Sequence, residues 1–174
     1  MASELLFIGD AGTTEPSAPS KRYGLEWNNF YALSSTSSLD FDVAWAHARF
    51  VNAQGSSSYI PGAVSATANI GLSVDNMGPW FGSIRFRYFG PRPLTEDGGI
   101  KSSATSVLNL RAGYKLSPQS KLSFDIYNLL NQKANDIEYA YASQLAQEAS
   151  PVMDRHIHPI EPRMLRVTLT HRFQ

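Results

Sequence analysis

The chain has 174 residues, enough for one domain with a substantial core. Its 15 basic and 15 acidic side chains cancel, so there is no electrostatic case for nucleic acid. Cysteine is absent, which excludes disulfide frameworks, thiolate zinc sites and cysteine nucleophiles together.

The opening stretch, MASELLFIGD, lacks the basic and apolar blocks of a signal peptide. No apolar run approaches the roughly 20 residues of a membrane helix. That criterion leaves membrane β-barrels untested, because they cross with alternating strands of about ten residues.

Apolar and polar residues alternate, the mark of a half-buried strand, in eight segments. The first, residues 3–9, is the shortest. Residues 21–33 set Tyr23, Leu25, Trp27, Tyr31 and Leu33 against Arg22, Glu26 and Asn28. Residues 39–50 set Leu39, Phe41, Val43 and Trp45 against Asp40, Asp42, Ala44 and Ala46, with His47 and Arg49 at the far end of the apolar face. Ile70, Leu72 and Val74 share a face in residues 66–75, and Ile84, Phe86 and Tyr88 do so in residues 80–90, opposite Arg85 and Arg87. Residues 106–116 place Leu108, Leu110 and Tyr114 opposite Asn109, Arg111 and Lys115. Residues 121–130 alternate through Leu122, Phe124 and Ile126, then lose phase near Asn128, as at a bulge. The last segment, residues 165–174, sets Leu165, Val167, Leu169, His171 and Phe173 against Arg166, Thr168, Thr170 and Arg172.

Connection lengths alternate as well. Long stretches follow the first, third, fifth and seventh segments, the longest running from Asn131 to Arg163, and short ones follow the second, fourth and sixth. In an antiparallel meander, long and short connections then fall on opposite ends. The expected fold is all-β: a meander of about eight antiparallel strands, either a segment of a transmembrane barrel or a small closed one. A soluble β-sandwich or lipocalin-like barrel turns the same apolar faces inward. The aromatic residues near strand ends and the loop asymmetry favour the membrane arrangement, with its polar, charged face toward a wet lumen.

Three stretches carry a resemblance beyond pattern: WFGSIRFRYFGPRPLTEDGGIKSSATSVLNLRAGYKL (80–116), LSFDIYNLLNQKANDIEYAYASQL (122–145) and HIHPIEPRMLRVTLTHRF (156–173). In that order they resemble the C-terminal end of TonB-dependent outer-membrane receptors, and FIGDAGTTEPSAPSKRYGLEWNNFY with YIPGAVSATANIGLSVDNMGPW is similar to the preceding strands. The resemblance covers essentially residues 1–174. It implies a barrel of about 22 strands, plugged by an N-terminal domain, energised through a TonB box and importing scarce ligands such as iron–siderophore complexes. The chain corresponds to about the last eight strands, with plug and TonB box absent from it. The implied location is the bacterial outer membrane, and the implied partners are outer-membrane lipid, the barrel-assembly machinery and, in an intact receptor, TonB and a siderophore-like ligand. The ending resembles the closing strand read by that machinery, with Leu165, Val167, Leu169 and Phe173 as its assembly signal; here Gln174 follows the aromatic residue.

An eight-strand slice has two free edges, which lipid does not tolerate, so it must close on itself or pair with another chain. A closed lumen would pair Arg85 or Arg111 with Glu26 or Asp42. Candidate ligand contacts are Arg92, between Pro91 and Pro93; Tyr139 and Tyr141, in the longest loop; and His156 and His158, which point the same way if extended. The histidines, with Asp154 and Glu161, have metal-ligand chemistry, but hydrogen bonding at a loop-to-strand junction explains them better. Glycine and threonine in GDAGTT lack the lysine of a phosphate-binding loop. No serine stands in G-x-S-x-G, and Asp40 with Asp42 reads as lumen wall rather than a glycosidase pair. No enzyme, metal or cofactor is expected. The alternatives are a self-standing small outer-membrane barrel with a structural or adhesive role, and a soluble barrel binding a small apolar ligand.

Overall fold

The computed structural model describes residues 2–3, 5–8, 13–51 and 58–173, and all of its regular elements are strands. β1 (Leu5–Ile8) and β2 (Thr13–Pro16) form an antiparallel hairpin. β3 (Ser20–Ala32), β4 (Ser37–Phe50), β5 (Ala66–Met77), β6 (Trp80–Phe89), β7 (Thr105–Lys115), β8 (Ser120–Tyr127) and β11 (Met164–His171) make one antiparallel sheet in the order β11-β8-β7-β6-β5-β4-β3. β9 (Asn135–Ser143) and β10 (Val152–Pro159) form a second hairpin, inserted between β8 and β11.

Register converts the alternation into two continuous faces. Tyr31, Leu39, Leu72, Ile84, Leu110, Ile126 and Leu165 are partners in one row crossing all seven strands. From Tyr23 to Tyr31 on β3, and over the matching stretches of the other strands, this face holds no Asp, Glu, Lys or Arg. Tyr23, Trp45 and Tyr88 stand toward the end carrying the long loops; Tyr31, Trp80 and Tyr114 stand toward the short turns. Eight residues separate Tyr23 from Tyr31 and Trp80 from Tyr88. At about 3.4 Å per residue and a tilt of about 40°, that is roughly 20 Å of depth, close to the apolar band of an outer-membrane barrel.

Among the described residues, no element packs against the apolar face. Leu25 is 76% exposed, Leu165 63% and Leu169 66%. Among the described residues the core cluster is Ala48, Phe50 and Ile60, with Ala63 packed on it, all at the long-loop end. A soluble β-sandwich or barrel buries its apolar faces; here no described element covers them.

All eight expected segments contain strands, seven of them in one sheet, with ends shifted by up to three residues. Three features differ. Residues 5–8 pair with Thr13–Pro16 instead of joining the meander, so the sheet has seven strands, and its β3 and β11 edges are open rather than closed on each other. The phase loss after Ile126 is a strand end rather than a bulge: β8 stops at Tyr127 and Asn128 takes φ 50°, a conformation asparagine tolerates through local hydrogen bonding. Its side chain donates to the Gln132 and Glu161 carbonyls and accepts from the Gln132 N–H, tying the exit of β8 to the approach of β11. Finally, the long stretch from Asn131 to Arg163 contains the β9–β10 hairpin. Residues 9–12 and 52–57, within two of the expected long connections, and Gln174 lie outside the described residues.

Candidate functional site

The polar face is a charged wall whose pairs are set by register. Asp40, Gly71 and Arg85 are successive partners across β4, β5 and β6. Arg85 reaches over β5 to grip Asp40 with both terminal nitrogens, at 2.9 and 3.1 Å. Gly71 makes this possible, since a Cβ there would stand 2.5 Å from Asp40 Oδ1 and 2.7 Å from Arg85 Nη2. Farther along, Arg111, Asp125 and Arg166 are partners across β7, β8 and β11. Arg111 Nε donates to Asp125 Oδ1 at 2.5 Å, and Arg166 Nε lies 3.5 Å from Oδ2, at ion-pair distance without hydrogen-bonding geometry. Both arginines expected to pair do so, but with Asp40 and Asp125 rather than Glu26 or Asp42. Shared parity puts all these acids on one face; the row in which each stands decides the partner.

Three long-loop elements stand above this wall. In residues 90–104, the Arg92 N–H donates to Ser102 Oγ and the Ser102 N–H to the Arg92 carbonyl, both at 2.9 Å. At the tip, the Thr95 hydroxyl and the Gly99 N–H donate to Asp97 Oδ1. These bonds, the Thr95 one foremost, hold the Asp97 carboxyl below its ordinary value. The neighbouring loop is laced to this one by Tyr59 N–H to Glu96 O and Gly62 N–H to Pro93 O. The β9–β10 hairpin is anchored by the buried Glu138, whose Oε1 accepts from the Ser103 N–H at 3.1 Å and from Asn135 Nδ2 at 3.0 Å. Arg155 Nη1 lies 3.3 Å from Glu138 Oε2.

Between these elements and the β2–β3 junction lies a cleft of about 730 Å³, opening on the polar side of the sheet. That size is within the range of small-molecule sites. Phe50, Ile60 and Phe89 give it apolar surface; Arg22, Arg92, Glu15, Glu96, Asp136 and Glu138 add charged groups to its lining. Five consecutive residues of β9, Asp136 to Ala140, form one wall.

Of the candidate contacts, Arg92 and Tyr139 line this cleft, and Arg92 also lies 5.3 Å from the Phe89 ring centroid. Tyr141 and His156 are outside its lining and stack on each other across the hairpin, 3.6 Å between centroids and 8° between planes. His158 stands opposite Ile137 in the same ladder, also outside the lining. Among the described residues no group of three or more His, Asp or Glu is placed to hold a metal ion. Sequence reasoning did not single out Arg22 or Glu138 as cleft residues. Arg22 had a signal in its parity and its place near a long loop. Glu138 had none, because its role depends on where Ser103 comes to lie. Leu165, Val167, Leu169 and Phe173 are exposed on and beyond the edge strand β11, with the Phe173 ring edge-on to His171 at 4.7 Å.

No family model and no curated protein matches the sequence. Solved structures match the fold. The ferric yersiniabactin uptake receptor FyuA of Yersinia pestis aligns at a TM-score of 0.69 and 15% identity, over 89% of this chain and 24% of that one. The copper transporter OprC aligns at 0.67 and 18%, over 98% and 27%. The ferric citrate transporter FecA aligns at 0.66 and 16%, over 88% and 24%. The chain thus spans about a quarter of the length of the structures it matches. Its sheet has the fold of a barrel segment of TonB-dependent receptors, the resemblance carried by its motifs.

Proposed function

We propose that the chain is barrel wall of a bacterial outer-membrane TonB-dependent receptor that imports a scarce ligand, with iron–siderophore complexes as the leading class. One observation carries this reading: an uncharged apolar face, continuous over seven strands and bounded by aromatic residues at both ends, opposite a face of paired charges. Lipid satisfies the first face and a wet lumen the second. The likeness to uptake receptors for ferric complexes and copper supports the transport role.

In this reading residues 1–174 are the C-terminal part of the barrel. The long loops face outward and the 730 Å³ cleft is part of the ligand mouth, with Arg92 and Tyr139 as contacts. Tyr141, His156 and His158 support the hairpin that forms one wall. The strand containing Leu165, Val167 and Leu169, with Phe173 beyond it, is the segment offered to the barrel-assembly machinery. TonB and the plug act only in the intact receptor. The open β3 and β11 edges disfavour a self-closed small barrel, because unpaired edges do not persist in lipid.

Two measurements test the proposal. Protease added to intact cells should cut within residues 144–151, the turn between β9 and β10, while leaving the 116–119 turn whole. Cleavage only after lysis refutes the orientation. The reading frame upstream of the Met1 codon should continue into further strands and a plug. A stop codon with a ribosome site immediately before Met1 refutes transport by this gene product.

A further inference from the structure

A second cleft, of about 220 Å³, lies at the long-loop margin of the apolar face, beside Trp45 and His47, and shares Ala63, Val64 and Arg92 with the ligand mouth. We propose that it binds the phosphate group of a membrane lipid; this rests on the membrane reading above. Trp45 and His47, the last residues of the apolar face on β4, form its lower edge, and Arg49, Tyr59, Arg92 and Lys101 its upper part. Among the described residues no Asp or Glu contributes to the lining.

The charges here are arranged unlike the ion pairs of the polar face and the hairpin. On the polar face and the hairpin, Arg85, Arg111, Arg155 and Arg166 each have a carboxylate within 3.5 Å. Arg49 and Lys101 instead lie on one aromatic ring, that of Tyr59, at 3.9 and 5.9 Å from its centroid. Neither has a carboxylate partner among the described residues. The ring is held in place from behind, since a Cβ on Gly98 would come within 2.7 Å of it. Lys21 stands directly opposite Arg49 in the β3–β4 ladder, on the same face. Like charges opposite one another destabilise a sheet, and an anion between them reverses that term.

Position selects the anion. The cations begin where the uncharged face ends, immediately beyond Tyr23 and His47, at the level where lipid headgroups meet an aromatic belt. A guanidinium and an ammonium converging on one cleft match a phosphate ester, which accepts several charge-assisted hydrogen bonds. The acyl chains of the same lipid would then run down the apolar face beside Trp45 and Val43.

The test uses the 174-residue chain in phosphatidylcholine vesicles doped with dansyl-labelled phosphatidic acid, in a W27F/W80F background where Trp45 is the only energy donor. Flotation reports insertion in the same samples. Energy transfer to phosphatidic acid should exceed transfer to dansyl phosphatidylcholine, and R49Q/K101Q should lower the apparent affinity roughly thirtyfold, about fivefold per cation. K121Q/R172Q, removing equal charge at the short-turn end, should retain it. An inserted chain with no preference for phosphatidic acid, or one whose preference survives R49Q/K101Q, overturns this inference alone. So does saturable binding of inorganic phosphate that abolishes the preference, because the site would then serve a soluble anion. At protein densities where the β3 and β11 edges can pair between copies, a chain that stays out of the bilayer overturns the membrane reading and this inference with it.

Discussion

Leu110→Arg tests the central claim most sharply. Leu110 lies on the apolar face of a central strand, with Ile84 and Ile126 as its cross-strand partners and no acid on that face to receive a new cation. It is four residues from Tyr114, about 14 Å along the strand and roughly 10 Å in depth at a 40° tilt, so it stands near mid-band. An arginine there costs about 2–4 kcal/mol in a bilayer, roughly 30- to 900-fold in a folding equilibrium. If the same face met water, the substitution would cost no more than about 0.5 kcal/mol. The assay is urea-titrated folding of the full chain into phosphatidylcholine vesicles, followed by tryptophan emission. Val167→Arg, two residues nearer the short-turn end in its row with Ala112 and Phe124, should cost less. Thr168→Arg, on the polar face opposite Ser123, should stay within about 0.5 kcal/mol. Equal shifts for Leu110→Arg and Thr168→Arg would refute the assignment of faces.

Gly71→Ala should part Arg85 from Asp40 and cost about 1 kcal/mol, since the pair is partly exposed and screened; in a double-mutant cycle with Asp40→Asn the two losses should be less than additive. Glu138→Ala removes the acceptor of the Ser103 N–H and the partner of Arg155, and should cost about 1–3 kcal/mol, read as faster amide exchange at Ser103 and through the hairpin with the sheet unchanged. The Asp97 carboxyl should titrate below its ordinary value of 3.8, and Thr95→Val should raise its midpoint. Because that value is depressed by folding, the loop tip gains its full stabilisation above the ordinary carboxylate range and loses it as pH falls through the lower folded value. Carbon-13 NMR of the carboxyl across pH 2–6 (a range of about four units around the usual carboxylate value) checks both midpoints.

The wall was legible because a strand's faces follow from period two alone. Ile84 and Leu110 needed no tertiary knowledge to be placed on one side. Partner choice was less legible, because it depends on register between strands far apart in sequence: Asp40 meets Arg85 only because Gly71 stands between them. The β9–β10 hairpin alternates too, with Ile137, Tyr139 and Tyr141 on one side and Asp136 and Glu138 on the other. Its polar anchor, Glu138, takes its meaning from Ser103 and Arg155, contacts that no local pattern specifies. At the cleft, Arg92 and Tyr139 could be placed from loop position, whereas Tyr141 and His156 stack on each other outside its lining.

The β9–β10 hairpin also shapes how the sheet is assembled. Residues 128–163 separate Tyr127 from its ladder partner Met164, whereas the turn joining β7 to β8 is residues 116–119. Closing a loop about nine times longer costs about 2 kcal/mol more in chain entropy. When β9 and β10 pair with each other first, Asn135 and Pro159 become neighbours. Only residues 128–134 and 160–163 then remain to be closed, and the excess falls to about 1 kcal/mol. The hairpin that walls the ligand mouth therefore acts as a splint, drawing the last strand toward its place before it docks.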